Sequence, residues 1–277
     1  MKRLQDKVAI VTGAGTRSDG GVGTGQATAM LFAREGAKVV VADLDARNAE
    51  KTCAAIQAEG GTASMFEADV SKESGCKALV EDTLSRYGSL HILMNNVGIS
   101  GSGDVTEITE ELWDRVLAVD LKSMAFMSKY AVPAMDKAGG GSIINISSVD
   151  GMRAGMWRNV PYAAAKGGVI SLTRAMAAHH GRQNIRVNCI APGLIYTNMV
   201  SGMADDARNI RRKIAPLGTE GSAWDIAMAA VFLASDESRW ITGVLLPVDA
   251  GLMASAPTAV LGNLSESEST GDGAMPE

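Results

Sequence analysis

Apolar runs alternate with segments of helical spacing from Val8 to Val248 without a break, and that alternation leaves few folds open to the chain. Runs suited to strands fall near 8–12, 38–42, 62–67, 91–95, 142–147, 185–190 and 243–248. They are apolar throughout rather than at every second residue, as strands covered on both faces must be. Repeated βα units of this kind predict an α/β, doubly wound parallel sheet of Rossmann type, with about seven strands and helices on both faces. We expect one domain over residues 1–251. Residues 252–277 read differently: they hold Ser265-Glu266-Ser267-Glu268-Ser269 and no Lys or Arg. Such a segment buries too little apolar surface to offset its ordering entropy, so a flexible acidic tail is expected. The exception is Pro257, Val260, Leu261 and Leu264, which are apolar enough to lie across a neighbouring subunit.

Charge and composition exclude several functions. The net charge is −5 with no basic run, so no nucleic-acid surface is expected. No run approaches the roughly 20 apolar residues of a membrane span, and Met1-Lys2-Arg3-Leu4-Gln5-Asp6 lacks the apolar stretch of a signal peptide, so a cytoplasmic protein is expected. Cys53, Cys76 and Cys189 are scattered and odd in number, which fits buried, reduced thiols. No metal is expected either, because His179 and His180 adjoin on one helix while His91 is remote.

Near the N-terminus Val8-Ala9-Ile10-Val11 runs into Thr12-Gly13-Ala14-Gly15, and a glycine-rich stretch leads to a helical pattern from Thr24 to Glu35. Strand, glycine-rich turn and helix are the arrangement in which backbone N–H groups receive a pyrophosphate. Nine residues separate Gly13 from Gly23-Thr24-Gly25; an alternative register uses Gly21 and Gly23. The small residues Gly25-Gln26-Ala27-Thr28-Ala29 favour the former, and Thr16-Arg17-Ser18-Asp19-Gly20 then forms a loop over the cofactor. Asp43 closes the next apolar run, where a carboxylate can accept both ribose hydroxyls. A 2′-phosphate there would meet like charge, so Asp43 favours NAD over NADP, with Arg17 and Arg47 as candidate compensators.

Further along stands Tyr162-Ala163-Ala164-Ala165-Lys166, preceded by Ser147 and Ser148 at the end of an apolar run. Residues i and i+4 share a helix face, so the phenol and the ammonium would point into one cleft. A phenol titrates near 10; a fixed ammonium nearby favours the phenolate and brings it toward neutrality. A serine hydroxyl can then hold the reacting oxygen.

Taken with Asn95-Asn96-Val97-Gly98, Arg186-Val187-Asn188, Pro192-Gly193, Ile241-Thr242-Gly243 and Val248-Asp249, these motifs resemble those of the short-chain dehydrogenase/reductase family from about Lys7 to Gly251. The resemblance implies an oxidoreductase that moves hydride between a nicotinamide and a secondary alcohol or ketone. Tyr162 would be the acid/base, Lys166 would bind the nicotinamide ribose and lower the tyrosine pKa, and Ser148, with Ser147 as competitor, would orient the substrate. Cofactor contacts are implied at Gly13, Gly23, Thr24, Gly25, Asp43, Leu44, Asp69, Val70, Asn96, Gly98, Tyr162, Lys166, Pro192, Gly193, Ile195 and Thr197. It also implies a homo-oligomer, a tetramer, built on the long helices read at 110–136 and 161–180. Enoyl reductases of the superfamily space Tyr and Lys farther apart. The reading from another class is an inactive NAD-binding regulatory homologue, against which the intact Ser148, Tyr162 and Lys166 speak.

One departure stands out. Asp120 occupies the place of the family's asparagine, which is associated with a helix irregularity whose backbone carbonyl holds a water serving the lysine. Asp120 is thus a further catalytic candidate with two readings. A carboxylate facing Lys166 across a water would partly offset the effect of the ammonium on Tyr162, whereas if only the main chain matters the side chain is a bystander, and the bystander role is the expectation. The substrate pocket would be walled by Val149 to Pro161 and the stretch after Gly193. Met152, Met156, Trp157, Met199 and Met203 in these segments suit an apolar or cyclic ligand, while Arg153 and Arg158 are read as solvated rather than substrate-binding.

Overall fold

The computed structural model describes residues 2–16, 21–155, 157–197, 200 and 202–265. Its strands are β1 (Val8–Thr12), β2 (Lys38–Asp43), β3 (Thr62–Glu67), β4 (Ile92–Asn95), β5 (Gly141–Ile146), β6 (Ile185–Pro192), β7 (Ile195–Tyr196), β8 (Gly221–Ser222) and β9 (Leu245–Val248). The helices are α1 (Thr24–Arg34), α2 (Ala46–Ala58), α3 (Glu73–Tyr87), α4 (Glu110–Leu117), α5 (Ser123–Lys137), α6 (Val160–His180), α7 (Asp205–Lys213), α8 (Ala223–Ala234) and α9 (Leu261–Ser265).

Seven strands form one parallel sheet in the order β3-β2-β1-β4-β5-β6-β9. Successive residues of each strand serve opposite faces. Ala9, Val11, Val39 and Val41 pack with α1, α2 and α8, whereas Ile10, Val40, Ala42 and Leu93 pack with α3, α5 and α6. Double coverage is why the strands are apolar at every position, and each such Val, Leu or Ile stabilises the fold by about 1.5–3 kcal/mol. Strand order runs outward from β1 to β3 and then resumes at β4 on the other side of β1, so a crevice opens where β1 and β4 end.

The predicted strands are all present, with ends shifted by at most two residues. Three features differ from the sequence reading. The two-residue β7–β8 pair is too short to leave an apolar signature. The helix read at 110–136 is not continuous: a π-helical turn over Ala118–Lys122 interrupts it, at the place where the family resemblance puts a helix irregularity. Finally, ordered chain continues beyond residue 251: Pro257–Val260 forms a 3-10 turn leading into α9, Val260 is buried, and the Asn263 side-chain amide donates to the Lys213 carbonyl at 3.2 Å. The short apolar stretch excepted from the tail thus finds cover on its own chain, against α7, where a neighbouring subunit was the expected partner. Residues 266–277, and the loop residues 17–20, lie outside the described residues. No helix among the described residues is long and apolar enough to cross a membrane. All three cysteines are buried thiols, which burial pushes up to about 11.

Candidate active site

The crevice begins at the turn after β1. Gly13 has φ +62°, a left-handed conformation that favours glycine. A Cβ on Gly25 would press into the Gly13 carbonyl oxygen and sit 2.5 Å from Asn96 Nδ2, so α1 can approach the turn only with glycine there. Gly23 has open space instead, so the close approach that needs glycine is at Gly25. Gly23 is also the N-cap of α1 and brings no side chain to the helix N-terminus. The first-turn N–H groups there form the kind of end that receives an anion. Asn96 spends its amide on the turn itself, donating to the Thr12 and Gly13 carbonyls at 3.1 Å each.

Asp43, 6% exposed, lies against this turn. Its Oδ2 accepts from the Gly15 N–H at 2.9 Å and its Oδ1 from the Asp45 N–H at 3.2 Å. Leu44 and Asp69 line one open groove with Val119 and Lys122, and Val70 is buried behind them. The Asp69 carboxylate holds Ser71 through both its N–H and its hydroxyl. Arg47 is paired with Asp45 at 3.0 Å, and Arg17 lies outside the described residues. On the other side of the crevice Pro192 ends β6, Gly193 donates to the Val248 carbonyl at 2.9 Å, Ile195 opens β7, and Thr197 follows it.

Ser148, Tyr162 and Lys166 meet beyond the end of β5. Ser147 and Ser148 take different partners. The Ser147 hydroxyl donates to the Lys166 carbonyl at 2.7 Å and is buried, so it ties β5 to α6. Ser148 Oγ accepts from the Asp150 N–H at 3.1 Å and sits beside the Tyr162 hydroxyl. Ser148 is therefore the serine facing the reacting centre. Pro161 stands in the first turn of α6, where its missing N–H costs nothing, and Tyr162 and Lys166 follow on one face. The lysine is 2% exposed; its Nζ donates to the Ile146 carbonyl at 3.1 Å and lies 5.5 Å from the centre of the Tyr162 ring.

The fourth group corrects an expectation. The π turn aims Asp120 inward, fully buried, and its Oδ2 stands 3.2 Å from Lys166 Nζ. Its Oδ1 accepts from the Ile99 N–H at 2.9 Å, while Oδ2 completes no well-directed hydrogen bond, so the contact with lysine is an ion pair. The extra residue of a π turn shifts the helix face, and the shift puts a side chain read as a bystander into direct contact with the lysine.

A second correction concerns the phenol. Tyr162 was expected to be brought toward neutrality by its ammonium neighbour. Burial instead pushes its pKa above the ordinary value; Lys166 and Ser148 pull it down, and the Asp120 and Asp150 carboxylates push it up again. Burial likewise raises Asp120, against the pull of Lys166 and the Ile99 N–H.

Some parts of the site had no place in the sequence reading. Asp150 lies two residues past Ser148, and its Oδ2 accepts from the Asn159 side-chain amide at 2.7 Å; a carboxylate that close to the serine was the available signal. The cluster that Arg208 and Arg211 of α7 form with Glu220 leaves no local signature at all. Met152 and Trp157 are exposed along the proposed wall. Met203 is part-buried, and Met156 and Met199 lie outside the described residues. The two arginines read as solvated are exposed; Arg158 pairs at the surface with Asp104 at 3.2 Å, and Arg153 Nε donates to Met253 Sδ at 3.0 Å.

Known proteins match this chain over nearly its whole length. The family model described as enoyl-(acyl carrier protein) reductase matches residues 15–253. The uncharacterized oxidoreductase YxbG of Bacillus subtilis strain 168 is 42% identical over 263 residues, which cover 92% of this chain and 93% of that protein. Meso-2,3-butanediol dehydrogenase of Serratia marcescens is 36% identical over 253 residues, covering 91% of this chain and 97% of the relative. Among solved structures, one described as a short-chain dehydrogenase/reductase from Burkholderia xenovorans superposes with a TM-score of 0.88 at 39% identity, covering 92% of this chain and all of that one.

Proposed function

Because the chain belongs to the short-chain dehydrogenase/reductase family, we propose that it is an NAD-dependent oxidoreductase interconverting a secondary alcohol and its ketone, with Tyr162 as acid/base. The observation that carries this reading is the meeting of Tyr162, Ser148 and Lys166 at the mouth of a crevice whose other wall is the Gly13–Gly25 turn.

The residues fit a dinucleotide. Gly13, Gly23, Thr24 and Gly25 would cradle its phosphates and Asp43 its adenosine ribose, with Leu44, Asp69 and Val70 beside the adenine, while Gly98, Lys166, Pro192, Gly193, Ile195 and Thr197 would line the nicotinamide end. Bound there, the nicotinamide supplies or accepts the hydride. Tyr162 takes the hydroxyl proton during oxidation and returns it during reduction. Ser148 accepts from a backbone N–H and so keeps its own proton to donate to the substrate oxygen. Asp43 supports NAD: a 2′-phosphate about 4 Å away would cost on the order of 4 kcal/mol at an effective dielectric of 20, and Arg47 is already paired with Asp45. The four-residue step from Tyr162 to Lys166 supports carbonyl rather than enoyl reduction. Met152 and Trp157 favour an apolar or cyclic substrate. We assign the enzyme to the cytoplasm as a homo-oligomer, a tetramer, as the family resemblance implies.

NADH formation against a panel of cyclic, aromatic and vicinal-diol alcohols tests the assignment. Tyr162→Phe should bind NADH like the parent and turn over about a thousandfold more slowly. Near-normal turnover by that variant overturns the role given to Tyr162.

A further inference from the structure

We propose that Asp120 is a positioning residue that balances the charge of Lys166 directly and thereby sets the pH at which Tyr162 accepts a proton. The proposal rests on the reading of Tyr162 as acid/base. Its geometric basis is a fully buried carboxylate 3.2 Å from a lysine that is itself 2% exposed.

A buried ammonium beside a phenol favours the phenolate because the opposite charges attract. The same ammonium beside a buried carboxylate belongs to a neutral pair, and its field at the phenol is largely cancelled. Asparagine at this position would keep the shape and the bond to the Ile99 N–H and remove only the charge. Asp120 is locked in place: the π turn fixes its backbone, Ile99 holds Oδ1, and Lys166 is held from behind by the Ile146 carbonyl.

The groups facing this centre come from four elements. Lys166 and Tyr162 belong to α6, Asp120 to the π turn, Asp150 to the turn after β5, and the Cys189 thiol to β6, where burial keeps it protonated. Two carboxylates therefore act against one ammonium. The consequence has a definite sign. Oxidation of an alcohol requires the unprotonated phenol oxygen, so its rate rises with pH through the tyrosine pKa. Removing one of the opposing negative charges favours the phenolate, and the rising limb moves to lower pH.

The decisive comparison is the pH profile of kcat/KM for Asp120→Asn and the parent, alongside Asp120→Ser in case the first variant folds poorly. An acid shift of about one unit with the melting temperature retained supports the proposal. A fixed profile, an alkaline shift, or a loss of rate without a shift overturns it and leaves Asp120 a structural role. A second measurement needs no turnover. In the parent protein carrying 13Cζ-tyrosine, the resonance that disappears in Tyr162→Phe should titrate no lower than free tyrosine, near 10. Titration below 8 overturns the proposal. An active Tyr162→Phe enzyme would instead defeat the underlying acid/base assignment, so the two failures are distinguishable.

Discussion

The nucleotide turn and the segment around α7 are built by different physics. In the turn, position follows from backbone sterics: Gly13 takes a left-handed conformation, Gly25 lets a helix touch a carbonyl, and Asp43 closes a strand in register with β1. Around α7, position follows from side-chain charge. Arg211 is 4% exposed, stands 2.8 Å from Glu220 and donates to the Ile195 carbonyl at 3.0 Å, while Arg208 pairs with the same Glu220 and stacks on Tyr196. The helix itself is nearly all polar, and only two-residue strands tie its flanks together. A contact enforced by backbone tolerates change in solvent; one enforced by buried charge depends on every partner being present.

Substitutions can break this contrast from either side. The largest effect is expected from Gly25→Ala, whose new methyl group collides with backbone: NADH affinity should fall at least about a hundredfold, or about 2.8 kcal/mol, by calorimetric titration. Wild-type affinity would mean the turn yields and the steric account is wrong. Arg211→Ala should act on the other region alone. Leaving Glu220 buried with one partner costs about 3 kcal/mol, and we expect KM for the alcohol to rise at least about tenfold with NADH affinity unchanged. Parallel losses in both constants would join the two regions into one unit. The smallest effect sharpens the nucleotide side: Asp43→Ala should narrow the kcat/KM preference for NAD over NADP about tenfold, about 1.4 kcal/mol. An unchanged ratio would move the ribose contact elsewhere.

The same contrast explains what could be read from the chain before folding. Strand ends and the glycine turn are local patterns, so β1 through β6 and Gly13 to Gly25 were visible in sequence. The Tyr162 and Lys166 pair was visible because one helix carries both. Asp120 was visible as a residue, with its contact to Lys166 the less favoured reading, since its direction depends on where the π turn inserts its extra residue, and propensity does not show that. The charge network of Arg208, Arg211 and Glu220 joins residues twelve or fewer apart through bends that carry no periodic signal. Val260 was visible as apolar enough to need cover, but not where it finds it, because the surface that buries it belongs to a distant segment of the same chain.

The last strand of the sheet also governs when this protein can become competent during its synthesis. β6 ends at Pro192, yet its outer neighbour β9 spans Leu245–Val248 and the Gly193 N–H needs the Val248 carbonyl. At about 5–20 residues per second, some seconds separate the emergence of the two. Through that interval the nascent chain carries an unpaired edge, an invitation to pair with a neighbouring nascent chain. The crevice stays open on the Gly193 side until β9 has emerged, so a product truncated before Leu245 should lack the wall that shapes its substrate rather than work at reduced rate.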